Sequence, residues 1–243
     1  MQVSGEPLRA NVERRAHSYP EGRTKSSIMR GSSKTRLRRK RKGKKLGHNV
    51  SPIILAAGRC PGLGFPQALA RFGERTAVSI AIDNCGALGR PIVVLGHAAR
   101  QILPFVPRGV GVVVHRGWQA GQLSSLRAGL QRVPKGSPFL LYPVDYPLLT
   151  RRLVQRLVHA FLRRRAGKEI ALPVNRGRRG HPVVFSPAVR REFARTRSAR
   201  EIVEKDRLRV KEVQVNTAAI WKDFDTPDAY RRRLLELQRG GRL

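Results

Sequence analysis

The stretch Ile53-Ile54-Leu55-Ala56-Ala57-Gly58-Arg59, followed by Gly62 and Gly64, decides how this chain is read. A continuous apolar run that stops in small residues has the pattern of a strand buried on both faces. The small residues beyond it let backbone N–H groups come close to a ligand, and parallel sheets bind their ligands at that carboxyl edge. Phosphate is the ligand such a turn suits. Any strand-to-helix turn can need a glycine for its backbone angles, so the run alone does not separate a phosphate cradle from an ordinary turn. It is not a Walker loop, because no Gly-Lys-Ser/Thr follows.

Outward from this turn, short apolar runs alternate with longer amphipathic stretches, the signature of a mostly parallel sheet with crossover helices. The pattern predicts strands at 53–57, 91–95, 110–114, 139–144, 169–173, 182–185 and 210–215. Helices are expected at 76–88, 121–132, 150–165, 198–206 and 226–238, several of them opened by a Ser or Thr cap. Arg163, Arg164 and Arg165 fall near one helix C-terminus, where cations complement the dipole. The chain thus divides into one α/β domain, residues 50–243, and a tail, residues 1–49.

The tail has almost no apolar periodicity, and its run at 34–45 is a block of like charge that cannot pack on itself; it is expected to be disordered. It reads as a polyanion-binding arm, a sorting signal, or upstream sequence ahead of a later start at Met29. The whole chain carries 50 Lys+Arg against 16 Asp+Glu, a formal net charge of +34. The first fifty residues hold fifteen of those bases and three of the acids, so most of the excess lies in the domain. Such an excess attracts polyanions, and it is equally what an Arg-heavy composition produces without any functional meaning. A nucleic-acid-binding function is therefore carried as one alternative, although the tail has almost no aromatics to stack bases.

Cys60 and Cys85 are the only cysteines, too few for a disulfide framework and without the partners of a zinc site. A reducing, cytoplasmic location is the natural expectation. No run approaches the ~18 apolar residues of a membrane span.

The specific signal is an ordered series of motifs: Leu55-Ala56-Ala57-Gly58-Arg59 with Leu63-Gly64, Gly96-His97, Gly121-Gln122-Leu123-Ser124-Ser125-Leu126-Arg127-Ala128-Gly129, Val144-Asp145-Tyr146-Pro147, Arg179-Gly180-His181-Pro182, and Asp223-Phe224-Asp225-Thr226-Pro227. Over about residues 51–238 it resembles the MobA-like NTP transferases, most closely the branch that includes molybdenum cofactor cytidylyltransferases. The resemblance implies a Rossmann-like sheet of the nucleotide-diphospho-sugar transferase type. It also implies attack by an acceptor phosphate on the α-phosphorus of an NTP, with CTP the expected nucleotide and a molybdopterin-type acceptor. Charge builds on phosphate oxygens in that reaction, so a divalent cation and electropositive donors are needed.

Asp145 and Asp225 match the family's metal carboxylates, and two carboxylates with substrate phosphates suit Mg²⁺. On their own, Asp145 reads equally as a turn residue and Asp225 as a partner of the helix that follows it. The resemblance assigns nucleotide contacts to Leu55, Ala56, Ala57, Gly58, Gly62, Gly64, Gln67, His97, Ser124 and Ser125, and keeps Arg59 as the loop's cation. The serines are also simple cap candidates. His181 lies on the acceptor side in the resembling enzymes, and is otherwise a histidine serving a hairpin. Trp118 is read as packing or a lid over the pocket.

The pattern breaks at two positions. The family motif supplies an arginine and a lysine in the glycine loop where this chain has Gly62 and Gln67. Losing a charged donor felt in the transition state commonly costs ~3–4 kcal/mol, hundreds-fold in rate. Arg71 or Arg75 could reach back from the next turn. A nucleotide-binding protein with weakened or no turnover is therefore the second alternative.

Overall fold

The computed structural model describes residues 50–240; the expected tail at 1–49 lies outside the described residues. In chain order the elements are β1 (Ser51–Ala56), β2 (Arg71–Phe72), β3 (Arg75–Thr76), α1 (Ala77–Cys85), β4 (Ile92–Leu95), α2 (Ala99–Ile102), β5 (Gly111–Val114), α3 (Gln122–Leu130), β6 (Phe139–Pro143), α4 (Arg151–Leu162), β7 (Ile170–Asn175), β8 (Arg178–Arg179), β9 (Val183–Phe185), α5 (Ala199–Lys205), β10 (Val210–Gln214) and α6 (Pro227–Arg239). The main sheet runs β10-β7-β9-β6-β1-β4-β5, with β8 attached to β7. β1, β4, β5 and β6 pair in parallel, as do β7 and β10, whereas β9 runs antiparallel between β6 and β7. The sheet is thus mostly parallel and mixed, with β9 as its reversed strand.

β1 shows why the apolar run had to be continuous. Ile54 and Ala56 pack on one face of the sheet with residues of α1 and α4, while Ile53, Leu55 and Ala57 pack on the other with α3 and α5. Successive strand residues point to opposite faces, so only a strand covered on both sides needs apolar residues at every position. Burying one such side chain contributes roughly 1.5–3 kcal/mol.

Helix starts follow the expected chemistry. The hydroxyls of Thr76, Thr150, Ser198 and Thr226 accept from Ser79, Leu153, Glu201 and Ala229 N–H groups, each the cap of a helix. α4 ends at Leu162, short of the expected 165. There the Arg164 guanidinium lies 3.8 Å from the Phe161 ring centroid and donates to the Phe161 carbonyl, so it closes the helix from outside. β7 runs two residues past its expected end because Val174 and Asn175 pair with Arg179 and Arg178 across a tight turn. Arg176 and Gly177 both have positive φ there, 49° and 73°, as a two-residue turn matching strand twist requires. The hairpin of β2 and β3, and 3-10 turns at Pro61–Leu63, Gln67–Leu69, Pro187–Ala194 and Ala218–Trp221, were not expected from the sequence pattern. Among the described residues no helix is long and apolar enough to cross a membrane.

The turn Gly180-His181 is pressed against the segment before α6. His181 N–H donates to the Ile220 carbonyl at 2.7 Å, and a Cβ on Gly180 would overlap that same carbonyl group. Gly58 has open space around it and no such constraint. Gly180→Ala is expected to cost roughly 1–3 kcal/mol in chemical denaturation through this overlap. Gly58→Ala should leave the unfolding midpoint unchanged, and equal losses at the two positions would contradict the packing described.

Candidate active site

The carboxyl ends of β1 and β6 lie side by side, in register from Ser51 with Phe139 to Leu55 with Pro143. Beyond them the chain opens a pocket of about 290 Å³. Leu55, Ala56, Ala57, Gly58, Arg59, Gln67, Ser125 and Asp145 line it together with Trp118, Gln119, Gly121 and Gln122. One wall is the start of α3, which has no side-chain cap because Gly121 at φ 93° precedes it. Its N-terminal N–H groups are left to other partners, and this end of a helix favours negative charge.

Other expected residues sit just outside this lining. Gly62 and Gly64 belong to the same loop, whose Gly64 ends a 3-10 turn at φ 72°. His97 donates its N–H to the Ala57 carbonyl at 2.9 Å, and its ring lies 5.3 Å from that of Trp118. Trp118 in turn packs so closely on Gly96 that a Cβ there would collide with it. The two serines divide their tasks. Ser125 is buried against the pocket, whereas Ser124 Oγ donates to the Gly121 carbonyl and meets His115 Nε2 at 3.0 Å.

Asp145 stands at the end of β6 with its Oδ1 enclosed and without a hydrogen-bond partner. Burial pushes its carboxyl up to about 7, opposed by its own backbone N–H and reinforced by the negative charges of Asp223 and Asp225. Burial, then Asp225, likewise raise Asp223, with Arg233 and Arg178 opposing. Burial raises the Cys60 thiol too, followed by the charges of Asp225 and Asp145. Three carboxylates that repel one another in so basic a protein form a site that a cation would relieve. The donor set fits Mg²⁺ or a similar hard cation. Among the described residues no group of three His, Cys, Asp or Glu side chains is placed to hold a metal ion, so an ion here would need water and substrate phosphate to complete its ligands.

Arg71 and Arg75 do not reach the loop: Arg75 binds Asp83 at 2.9 Å and Arg71 lies 3.6 Å from Glu74. Arg59 remains as the cation in the pocket lining. Gln67, at the lysine position, donates its amide to the Phe224 carbonyl at 2.7 Å.

His181 lies in a second pocket of about 670 Å³, with Tyr146, Arg178, Trp221 and Asp223. Gln122 lines both pockets, so the two share a wall. Burial lowers the His181 ring to about 4, which keeps it neutral near pH 7. It can exchange a hydrogen bond with a ligand there but offers phosphate no charge. Its ring is 4.9 Å from that of Tyr146, and the Arg178 guanidinium lies 4.5 Å from the Trp221 ring centroid. Asp223, Tyr146, Arg178 and Trp221 had no assigned role in the sequence. For Asp223 the spacing held a usable sign, since it stands two residues before Asp225 with fully buried Phe224 between them.

The ionisation of Asp145 has a measurable consequence for stability in the metal-free chain. Its folded value of about 7 lies above the ordinary 3.8, so the unfolded chain releases the proton first as pH rises. Stability from this group is retained below pH 4 and lost between pH 4 and 7, by about 4 kcal/mol if the full shift is expressed. With chelator present, Asp145→Asn is expected to become progressively more stable than the unsubstituted chain across that interval. A difference in unfolding free energy that stays constant with pH would contradict the burial described.

The fold has solved counterparts. Rv0371c from Mycobacterium tuberculosis H37Rv is 29% identical, with a TM-score of 0.68 over 78% of this chain and 99% of that one. Its manganese complex is 27% identical, with a TM-score of 0.65 over 76% and 98%. Molybdopterin-guanine dinucleotide biosynthesis protein A from Archaeoglobus fulgidus shares the fold at 13% identity, with a TM-score of 0.60 over 78% and 100%. A comparison with curated proteins finds no match. The model of the MobA-like NTP transferase domain matches residues 52–212, from within β1 to within β10, and the chain belongs to that family.

Proposed function

We propose that the protein transfers a nucleotidyl group from an NTP to a phosphorylated acceptor, with release of pyrophosphate. An acceptor phosphate oxygen bonds to the α-phosphorus as the bond from that phosphorus to the β-phosphate oxygen breaks. The observation that carries this reading is Asp145, whose unpartnered carboxylate oxygen is enclosed at the sheet edge beside Asp223 and Asp225. The triphosphate would lie in the pocket of Gly58 and Arg59, where backbone N–H groups and the start of α3 meet its charge. The acceptor would enter the pocket of His181, across the wall formed by Gln122. Asp145 and Asp225 would hold Mg²⁺, which when bound neutralises charge developing on the phosphate oxygens. The manganese complex of Rv0371c supports a divalent cation in this reading. CTP and a molybdopterin-type acceptor are the substrates proposed, and the cytoplasm the location.

A second reading is favoured by Gly62 and Gln67. With no cation at either position, the loop relies on Arg59 and backbone N–H groups, which support binding better than the transition state. Binding of NTP in calorimetry without turnover would select this reading.

Pyrophosphate release, measured with Mg²⁺ or Mn²⁺, each NTP and phosphorylated acceptors, tests the proposal. Asp145→Asn or Asp225→Asn is expected to lower the rate at least about hundredfold. A Cβ on Gly62 would meet only ordinary contacts, Asp225 O at 3.7 Å and Pro227 Cδ at 3.9 Å, so an arginine can be placed there. Gly62→Arg is expected to raise turnover at least about tenfold, since it returns a charged donor to the loop. No release with any combination would overturn the enzymatic reading.

A further inference from the structure

The segment that carries Asp225 is tied to the glycine loop by two of the loop's own side chains. Gln67 donates its Nε2–H to the Phe224 carbonyl at 2.7 Å, and the Cys60 thiol donates to the Asp225 carbonyl at 3.0 Å. From the other side the Phe224 ring, fully buried, meets Phe72 edge-on at 5.2 Å and Tyr230 at 5.8 Å. The backbone at 224–225 is thereby held between a packed ring and two donors. Gln67 occupies a position where the resembling enzymes carry a lysine for the triphosphate, but its donor is committed to this chain's own backbone. Cys60 donates through its S–H, a weaker donor than an amide.

We propose that Gln67 and Cys60 are positioning residues for the metal carboxylates: together they fix the 223–225 segment against the loop and so set the place of Asp225 relative to Asp145. The proposal rests on the reading of Asp145 and Asp225 as metal-binding residues. It gives the departure at position 67 a role of its own, in which the side chain acts on the cation through a carboxylate-bearing segment rather than on the nucleotide by charge. Groups hydrogen-bonded to a metal-ligating side chain typically change metal affinity by about 10–100-fold when removed; Gln67 and Cys60 bond the main chain of the ligand-bearing segment, so the low end of that range is expected.

The test is Mn²⁺ affinity of the full chain, read from the spectrum of free Mn²⁺ by electron paramagnetic resonance, with no nucleotide present. Gln67→Leu, which keeps the bulk and removes the donor, and Cys60→Ala are each expected to weaken Mn²⁺ binding about tenfold while cooperative unfolding is kept. Cys60→Ser, which restores an O–H donor, should bind Mn²⁺ close to the unsubstituted chain. Asp225→Asn is measured alongside to separate the two claims. If Asp225→Asn weakens binding but Gln67→Leu and Cys60→Ala do not, the clamp is overturned and the two-carboxylate reading stands. If the unsubstituted chain binds no Mn²⁺, or Asp225→Asn binds it equally well, both are overturned. Should Gln67→Leu fail to fold, the Cys60 pair decides the outcome alone.

Discussion

The parallel pairing of β1 with both β4 and β6 is the constraint on which the rest of the structure depends. It places the end of β1 in the middle of the sheet with a strand end on each side. The loop after β1, the Gly96-His97 turn after β4 and Asp145 after β6 are therefore neighbours by construction, although nearly ninety residues separate the first from the last. Shifting β1 by one residue would exchange its two apolar faces and withdraw the small residues from the edge. Covering helices on both sides prevent that shift, so the position of the cradle follows from the burial of Ile53 and Ile54.

Electrostatics at this edge oppose the character of the whole chain. A protein of formal charge +34 brings Asp145, Asp223 and Asp225 within mutual influence and leaves one carboxylate oxygen of Asp145 without a donor. Arg75 is engaged on Asp83 and Lys222 on Glu236, while Arg178 and Arg233 act on Asp223. Of that surplus, Arg59 is the basic side chain in the pocket lining beside Asp145.

Much of this was legible in the sequence because it depended on residue type and order. The uninterrupted run from Ile53 to Ala57 announced a strand covered on both faces, and the Thr or Ser before most helices announced their starts. The apolar run at 139–144 placed Asp145 just past a strand end, and the run at 182–185 put His181 at the start of a strand. What stayed hidden depended on contacts between distant segments. The β7–β8 hairpin turns on Arg176-Gly177, which lacks the Asn or Asp that usually marks such a turn. Ser124 faces His115 rather than the pocket, a choice made by the helix's rotation and not by its composition. Gln67 is the clearest case: as a letter it is a missing lysine, and only its 2.7 Å bond to Phe224 shows what it does instead.

The central claim is that Asp145 and Asp225 hold a divalent cation against a nucleoside triphosphate in the pocket beyond β1. The most direct measurement is the phosphorus hyperfine coupling of protein-bound Mn²⁺ in the presence of a non-hydrolysable CTP analogue. The account predicts a coupling from directly bound phosphate that disappears, together with the bound Mn²⁺, in Asp145→Asn. Protein-bound Mn²⁺ without phosphorus coupling, or a coupling unchanged in that variant, would contradict it.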